Sequence, residues 1–326
     1  LLLTFAVSPN APGSITLTPS VPLPAGANVV VTPVTVPVAT ITGLLAAETE
    51  HGAVVAIGNS VTTCSDGNAA CADARIGVGG AVNHNDFAMQ YVNTAGGSFD
   101  SSSAQLAITG SVSRAFLTWG GDTDQGGTAP DPLAAGSVSF TTPTGTTTVT
   151  AAEVQSYSDG RYMAYAEVTS LVAGSGTYSV ADIQTALGTA SFGGWSLVVV
   201  THDASLPERF LMVASPLDVV GGARSSFSVS LLQPMSNASA ALFAVGFEGD
   251  RSLSLSGDSV SLSGFSVPNA FRGAIPGTRD PSYENTLGTD LLVASATGLN
   301  GPQLAFSSAT TNDRVMLSMV AIALDL

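Results

Sequence analysis

The chain has 326 residues, 45% of them apolar and 10% charged, and its 24 acids face nine basic residues, all arginine, for a net charge of −15. Such an acidic excess excludes proteins that hold nucleic acid by neutralising phosphates or that seek anionic lipid through a basic patch. Gly, Ser, Thr and Pro interrupt the apolar residues every few positions, so no run reaches the ~20 residues of a membrane-spanning helix, and a mean hydropathy of +0.37 excludes a disordered chain.

Residues 1–7, LLLTFAV, read either as the end of a signal-peptide apolar region or as a mature N-terminal strand. Residues 1–48 form a distinct segment with Pro9, Pro12, Pro19, Pro22, Pro24, Pro33 and Pro37 and almost no charge before Glu48. Within it, residues 28–42 alternate β-branched side chains with Thr or Pro, which is a strand pattern. Pro33 and Pro37 remove ladder donors, so the segment suits an edge strand, a linker, or an arm added to a neighbour's sheet. In the arm reading, Val29, Val31, Val34, Val36, Val38 and Ile41 are the assembly residues of a donor segment spanning roughly 15–41.

From residue 49 onward, short apolar stretches recur between turn signals, at 52–57, 105–109, 114–119, 137–141, 146–151, 195–201, 210–214, 227–232, 241–247, 252–255, 259–262 and 315–324. Two segments read as helices, 165–172 and 181–187, the second opened by Ser179 or Asp182 and closed by Gly188. So many short strands with so little helix predict an all-β fold, an antiparallel sandwich or jelly roll. A weak boundary near 216–222 predicts two packed halves, 49–216 and 217–326, behind the extended arm 1–48. Cys64 and Cys71 flank a turn through Asp66, Gly67 and Asn68 and read as a disulfide. Two thiols without further Cys or His nearby cannot complete a zinc shell. A disulfide implies an oxidising compartment, hence export.

Candidate chemistry is sparse. His51, His84 and His202 are the three histidines, so any Ser-His-Asp triad must use one of them, and His84 and His202 read as structural. His84 lies in an Asn83-His84-Asn85-Asp86 cluster able to touch a metal or a sugar, although such turns usually satisfy their own backbone. Gly257-Asp258-Ser259-Val260 resembles an esterase nucleophile block but reads as a hairpin turn between alternating strands. Asp122, Asp124 and Asp131 supply hard oxygen donors on a Gly-rich loop and are the candidate calcium ligands, with a plain solvated acidic loop as the alternative. No cofactor beyond that ion is expected. Trp119 and Trp195 read as core, with a sugar-stacking platform at Trp119 as the alternative. Arginines 114, 209, 251 and 314 sit in or beside strands and are expected to pair with acids, Arg209 with Glu208 and Arg251 with Glu248 or Asp250. Asn237-Ala238-Ser239 is a glycosylation sequon, and the Thr- and Ser-rich surface suits O-linked sugar.

The blocks GNSVTTC (58–64), NHNDFAMQYV (83–92), RAFLTWGGDT (114–123), GGWSLVVVTHDASLPERFLMV (193–213), ALFAVGFEGDRSLSLSGDSVSLSG (241–264) and DPSYENTLGTDLLV (280–293) resemble a secreted all-β head domain of actinobacterial surface proteins. That domain often precedes repeat modules called DUF11, and the resemblance spans roughly residues 50–326. It implies secretion, cell-surface exposure and no catalysis. The sequence departs from the pattern in three ways: no repeats follow Leu326, there is no Leu-Pro-x-Thr-Gly type anchor, and the proline-rich arm precedes the domain. The resulting expectation is a non-enzymatic, extracellular subunit of a surface filament, partnered by its own copies through strand donation. The rival is a monomeric adhesin binding surface glycans near Trp119 and His84. Lacking lysine, the chain cannot form Lys–Asn isopeptide staples, so a fibre would depend on strand pairing and apolar burial.

Overall fold

The computed structural model describes residues 14–17, 34–37, 43–92, 98–221, 224–251, 257–311 and 313–326. The body is a stack of antiparallel sheets with almost no helix, as the alternation of the sequence predicts. Its outermost layer is a five-stranded sheet ordered Arg279–Asp280, Ser101–Leu106, Gly176–Ala181, Ser137–Thr142, Gly145–Thr150. Behind it run Glu153–Ser156, Arg161–Glu167, Ser111–Asp122 and Gly193–His202, which pair in that order and then with the second half of Leu44–Ser60. The first half of Leu44–Ser60 instead pairs with Glu208–Ala214, which leads into Val315–Asp325, Ser225–Phe247, Thr289–Ala309, Ser259–Leu262 and Phe265–Pro268.

One strand therefore belongs to two layers. The crossing falls at Gly52, where a Cβ would lie 2.0 Å from the Thr201 carbonyl oxygen and 3.2 Å from Leu211, so only glycine lets the strand pass. Glu208–Ala214 precedes residue 216 in the chain yet pairs with Val315–Asp325. A cut near 216 thus does not separate the sheets into two halves.

Three apolar cores fill the stack. Leu117, Trp119, Trp195, Leu197 and Val199 pack with Phe140 and Tyr178 of the outer sheet. The alternate residues Phe116, Val198 and Val200 face the other way and join Met163, Phe243, Val245, Met316 and Met319. Leu242, Ala244, Val320, Ile322 and Leu324 form the third core with Val260, Leu304 and Phe306. The middle strands are thus buried on both faces, which is why Gly193–His202 and Val315–Asp325 are continuous rather than alternating apolar runs. At Ser318 the pairing with Val245 and Gly246 slips by one residue, and the side-chain parity of the strand changes there.

Ser225–Phe247 and Thr289–Ala309 form a long ribbon whose register shifts between Ser230 and Met235, between Met235 and Ala238, and between Ala238 and Ala240. Such irregularities bend a ribbon. Here Leu304 and Phe306, near one end of the ribbon, share a core with Leu242 and Ala244 near the other, so the sheet curls over itself.

Neither predicted helix forms. Tyr165 lies within the strand Arg161–Glu167, which is followed by a single 3₁₀ turn at Thr169–Leu171. Residues 181–187 are broken at the start by Asp182, whose φ of +65° lies in the left-handed region. Among the described residues the α-helix that does form is Cys71–Arg75, which starts at the second cysteine of the disulfide. Strands Ser14–Leu17 and Val34–Pro37 pair with each other and add no strand to the body sheets. Val29, Val31, Val38 and Ile41 lie outside the described residues, as does the predicted strand 252–255.

Candidate functional site

Residues 269–288 join the edge hairpin to the long ribbon, and their sequence, rich in Gly, Pro and Asn, gives only the two-residue strand Arg279–Asp280. Long irregular loops are places where function concentrates. Two anchors shape this one. Asp290 accepts the backbone N–H of Arg272 at 2.7 Å and of Ala274 at 3.1 Å through Oδ1. Asn285 donates through Nδ2 to the carbonyls of Ala74 at 3.0 Å and Val82 at 2.7 Å, fastening the loop to the disulfide segment.

That segment is a small unit of its own. Cys64 and Cys71 are bonded, with Cα atoms 5.6 Å apart. Asn68 donates its backbone N–H to Ser65 across the predicted turn. Both sulfurs pack with Ala74, Phe87, Met89 and Leu287. After the helix the chain turns through Gly77, at φ +71°, where a Cβ would lie 2.3 Å from Cζ of Arg251. The Arg251 guanidinium therefore rests against bare backbone, and its Nη1 donates to the Glu284 carbonyl at 3.2 Å. Arg279 donates through Nη2 to the Tyr283 carbonyl at 2.7 Å and through Nη1 to Asn59 Oδ1 at 3.3 Å, while its buried Nε has no partner. Together with Arg272, Ala274, Ile275 and Glu284 they line a cavity of about 360 Å³.

Behind this cavity lies a buried set of acids. Burial raises Asp290 to about 7, against the pull of the two N–H donors. Burial raises Asp258 to about 6 and Asp313 to about 8, the latter helped by Asp250, Asp258 and Glu248. Burial also raises Glu248 to about 7 although Arg161 opposes it. His84, 1% exposed, sits 3.4 Å from Asp250 and edge-on to Phe192. Asp250, Asp258 and Asp290 are each at most 2% exposed, so these three carboxyls are interior to the protein, while Glu248 and Asp313 are half-buried.

Glu248 is turned by a left-handed φ of +71° and pairs with Arg161 and Arg314, not with Arg251. Arg209 likewise takes Asp325 at 2.7 Å in place of Glu208. Both local pairings read from the sequence are thereby corrected.

The other sequence candidates stand apart from the cavity. Asp122 Oδ1 accepts the N–H groups of Asp124 at 3.2 Å and Gln125 at 3.0 Å, and burial raises its pKa. Asp131 gives its N–H to Gln184. Among the described residues no group of three His, Cys, Asp or Glu is arranged to hold a metal, so Asp122, Asp124 and Asp131 are not gathered as a calcium set. Trp119 is fully buried with Nε1 on the Ala135 carbonyl, and Trp195 bonds Ser102, so Trp119 offers no sugar platform. His51 bonds the Leu206 carbonyl and His202 pairs with Glu50, and no imidazole is hydrogen-bonded to a serine among the described residues. Ser259 opens the strand Ser259–Leu262, and the hairpin turn expected there falls instead at Ser263 and Gly264. Asp86 accepts the N–H groups of Val82 and Asn83, the self-satisfied turn expected around His84. Asn237 is exposed at the bulged region of the long ribbon, with a φ of +53°.

The sequence reading missed the pocket arginines as a group. Their signal was present, since Arg251, Arg272 and Arg279 are a third of the chain's nine cations in a span of under thirty residues.

No helix among the described residues is long and apolar enough to cross a membrane. No family model matches the chain, and no curated protein matches it. Among solved structures it is similar to a peptide-N(4)-(N-acetyl-β-D-glucosaminyl) asparagine amidase, at TM-score 0.25 and 11% identity over 84% of this chain and 96% of that one. It is also similar to PNGase F, a glycosylasparaginase from Flavobacterium meningosepticum, at 0.24 and 10% over the same shares. The Sulfolobus turreted icosahedral virus structure matches at 0.20 and 9%, over 69% of this chain and 86% of that one. Likenesses this slight carry no functional argument.

Proposed function

We propose that the protein is an extracellular structural subunit of a surface filament, assembled head to tail when the N-terminal arm of one copy completes a sheet of the next. One observation carries the reading. Among the described residues the body sheets begin at Leu44, while Ser14–Leu17 and Val34–Pro37 pair with each other and add no strand to them. Two arm strands that the body sheets do not use support its donation to another copy.

Open ladder edges are present in the body to receive it, at Gly145–Thr150, Glu153–Ser156 and Phe265–Pro268. Of these, Phe265–Pro268 ends in a proline, which weakens it as an acceptor. A heterologous contact of this kind repeats without closing and yields a fibre. The Cys64–Cys71 bond fits the oxidising exterior in which such a fibre would stand. The interior placement of Asp250, Asp258, Asp290 and His84 favours a structural role over catalysis.

Removal of residues 1–42 tests the proposal. Full-length protein is expected to show concentration-dependent growth by light scattering and fibres by electron microscopy, and the truncated body to remain a folded monomer. Full-length protein that stays monomeric at high concentration, or a truncated body that still polymerises, would overturn it.

A further inference from the structure

Five of the nine arginines are ion-paired: Arg75 with Asp66, Arg114 with Glu167, Arg161 with Asp159 and Glu248, Arg209 with Asp325, and Arg314 with Asp159 and Glu248. Acids outnumber cations heavily in this chain, so a cation without a partner is the exception. Arg251, Arg272 and Arg279 make no ion pair among the described residues, and all three converge on the 360 Å³ cavity. The hydrogen bonds that hold Arg251 and Arg279 go to carbonyls and to the Asn59 amide oxygen, which orient a guanidinium without neutralising it.

The nearby acids offset this charge only in part, since Glu284 and Asp290 act on Arg251 but neither is ion-paired to it. Glu284 is the single acid among the lining residues. Asp280 is exposed beside Arg279 in the chain. Asp290 lies behind the loop, where burial raises its pKa to about 7. Burial lowers the pKa of Arg251 and of Arg279; at Arg251 the neighbouring Arg272 adds to the effect while Glu284 and Asp290 oppose it, so the balance at both cations disfavours charge. A cluster of this kind is stabilised when an anion enters it.

We propose that this cavity is a binding site for an oxyanion, a carboxylate, sulfate or phosphate group carried on a small polar ligand of about the size of a sugar ring. Guanidinium forks match such groups with paired N–H donors, and three of them around one hollow can hold an anion from several sides. The volume lies near the lower end of the range for small-molecule sites. Ala274 and Ile275 supply an apolar wall for the ligand's carbon face, and Glu284 can accept hydrogen bonds from hydroxyls. Gly77 is a positioning residue, because its lack of a side chain lets the Arg251 guanidinium lie where it does.

Titration calorimetry of the full-length protein at low ionic strength, with inorganic phosphate, inorganic sulfate, glucuronate and neutral glucose, tests the site. At least one of the three anions is expected to bind saturably and glucose not at all. Arg272→Gln, which removes a side chain with no structural partner among the described residues, should weaken that binding tenfold or more while leaving the unfolding temperature unchanged. Arg224→Gln, at an exposed arginine outside the cavity, should not weaken it. Tighter binding of phosphate or sulfate assigns an ester-bearing ligand, and tighter binding of glucuronate a sugar acid. Absence of saturation by all three anions, full affinity in Arg272→Gln, or equal loss in Arg224→Gln would overturn the proposal.

Discussion

Glu248, Asp258, Asp290 and Asp313 have carboxyl pKa values raised by burial to between about 6 and about 8, from ordinary values of 3.8 for Asp and 4.5 for Glu. The folded protein therefore keeps protons that the unfolded chain has already lost across the window from about pH 4 to pH 8. Raising the pH through that window favours unfolding, since the state that binds fewer protons gains. The unfolding temperature is expected to be higher at pH 5 than at pH 8, and Asp313→Asn, which stays neutral, to reduce the difference. A calorimetric scan in which stability rises from pH 5 to pH 8 would contradict this. At the same scale, the roles of Cys64, Cys71 and both tryptophans were legible in the sequence, because their pairing and burial follow from short spacing and large apolar area. The fate of Arg251 was hidden. Adjacent acids suggested a local pair, but the left-handed turn at Glu248 sends that carboxylate to Arg161 and Arg314.

Among the elements, Val315–Asp325 shows how burial on two faces shapes a strand. Val320 is 0% exposed within it, and Val293, on the long ribbon, is 46% exposed. Val→Thr replaces a methyl with a hydroxyl of nearly the same size, so its cost reports the surroundings. Val320→Thr is expected to cost about 1–3 kcal/mol, the range for placing a polar group in a core without a partner. Val293→Thr should stay within about 0.5 kcal/mol, as surface changes do. Urea unfolding midpoints give both values, and equal shifts would contradict the layered arrangement. Many strands were legible from β-branched runs and Gly breaks, but Gly176–Ala181 and the long Thr289–Ala309 were not among those predicted. The failure of the helices at 165–172 and 181–187 was not legible either, because the helix-favouring residues of the first are recruited to pair with Ser111–Asp122, and Asp182 turns the second out of helical backbone. Local propensity yields to sheet pairing in such segments.

Over the whole molecule, the stacked sheets account for a composition that is 45% apolar and 10% charged. Middle layers expose neither face to water, so whole strands are free of charge without any membrane or partner. The sequence could reveal the all-β class but not the number of layers, since a continuous apolar run says that both faces are covered and not by what. Exterior apolarity is modest, with Leu133 and Leu232 the most exposed large apolar side chains among the described residues. In the proposed assembly the arm and its strand pairing, rather than a broad greasy surface, would therefore supply the contact. The most direct measurement is a titration of the body lacking residues 1–42 with a synthetic peptide of residues 15–41. The account predicts saturable binding near one peptide per body, and arrest of full-length polymerisation by the same peptide. A peptide that neither binds the body nor slows polymerisation would contradict it.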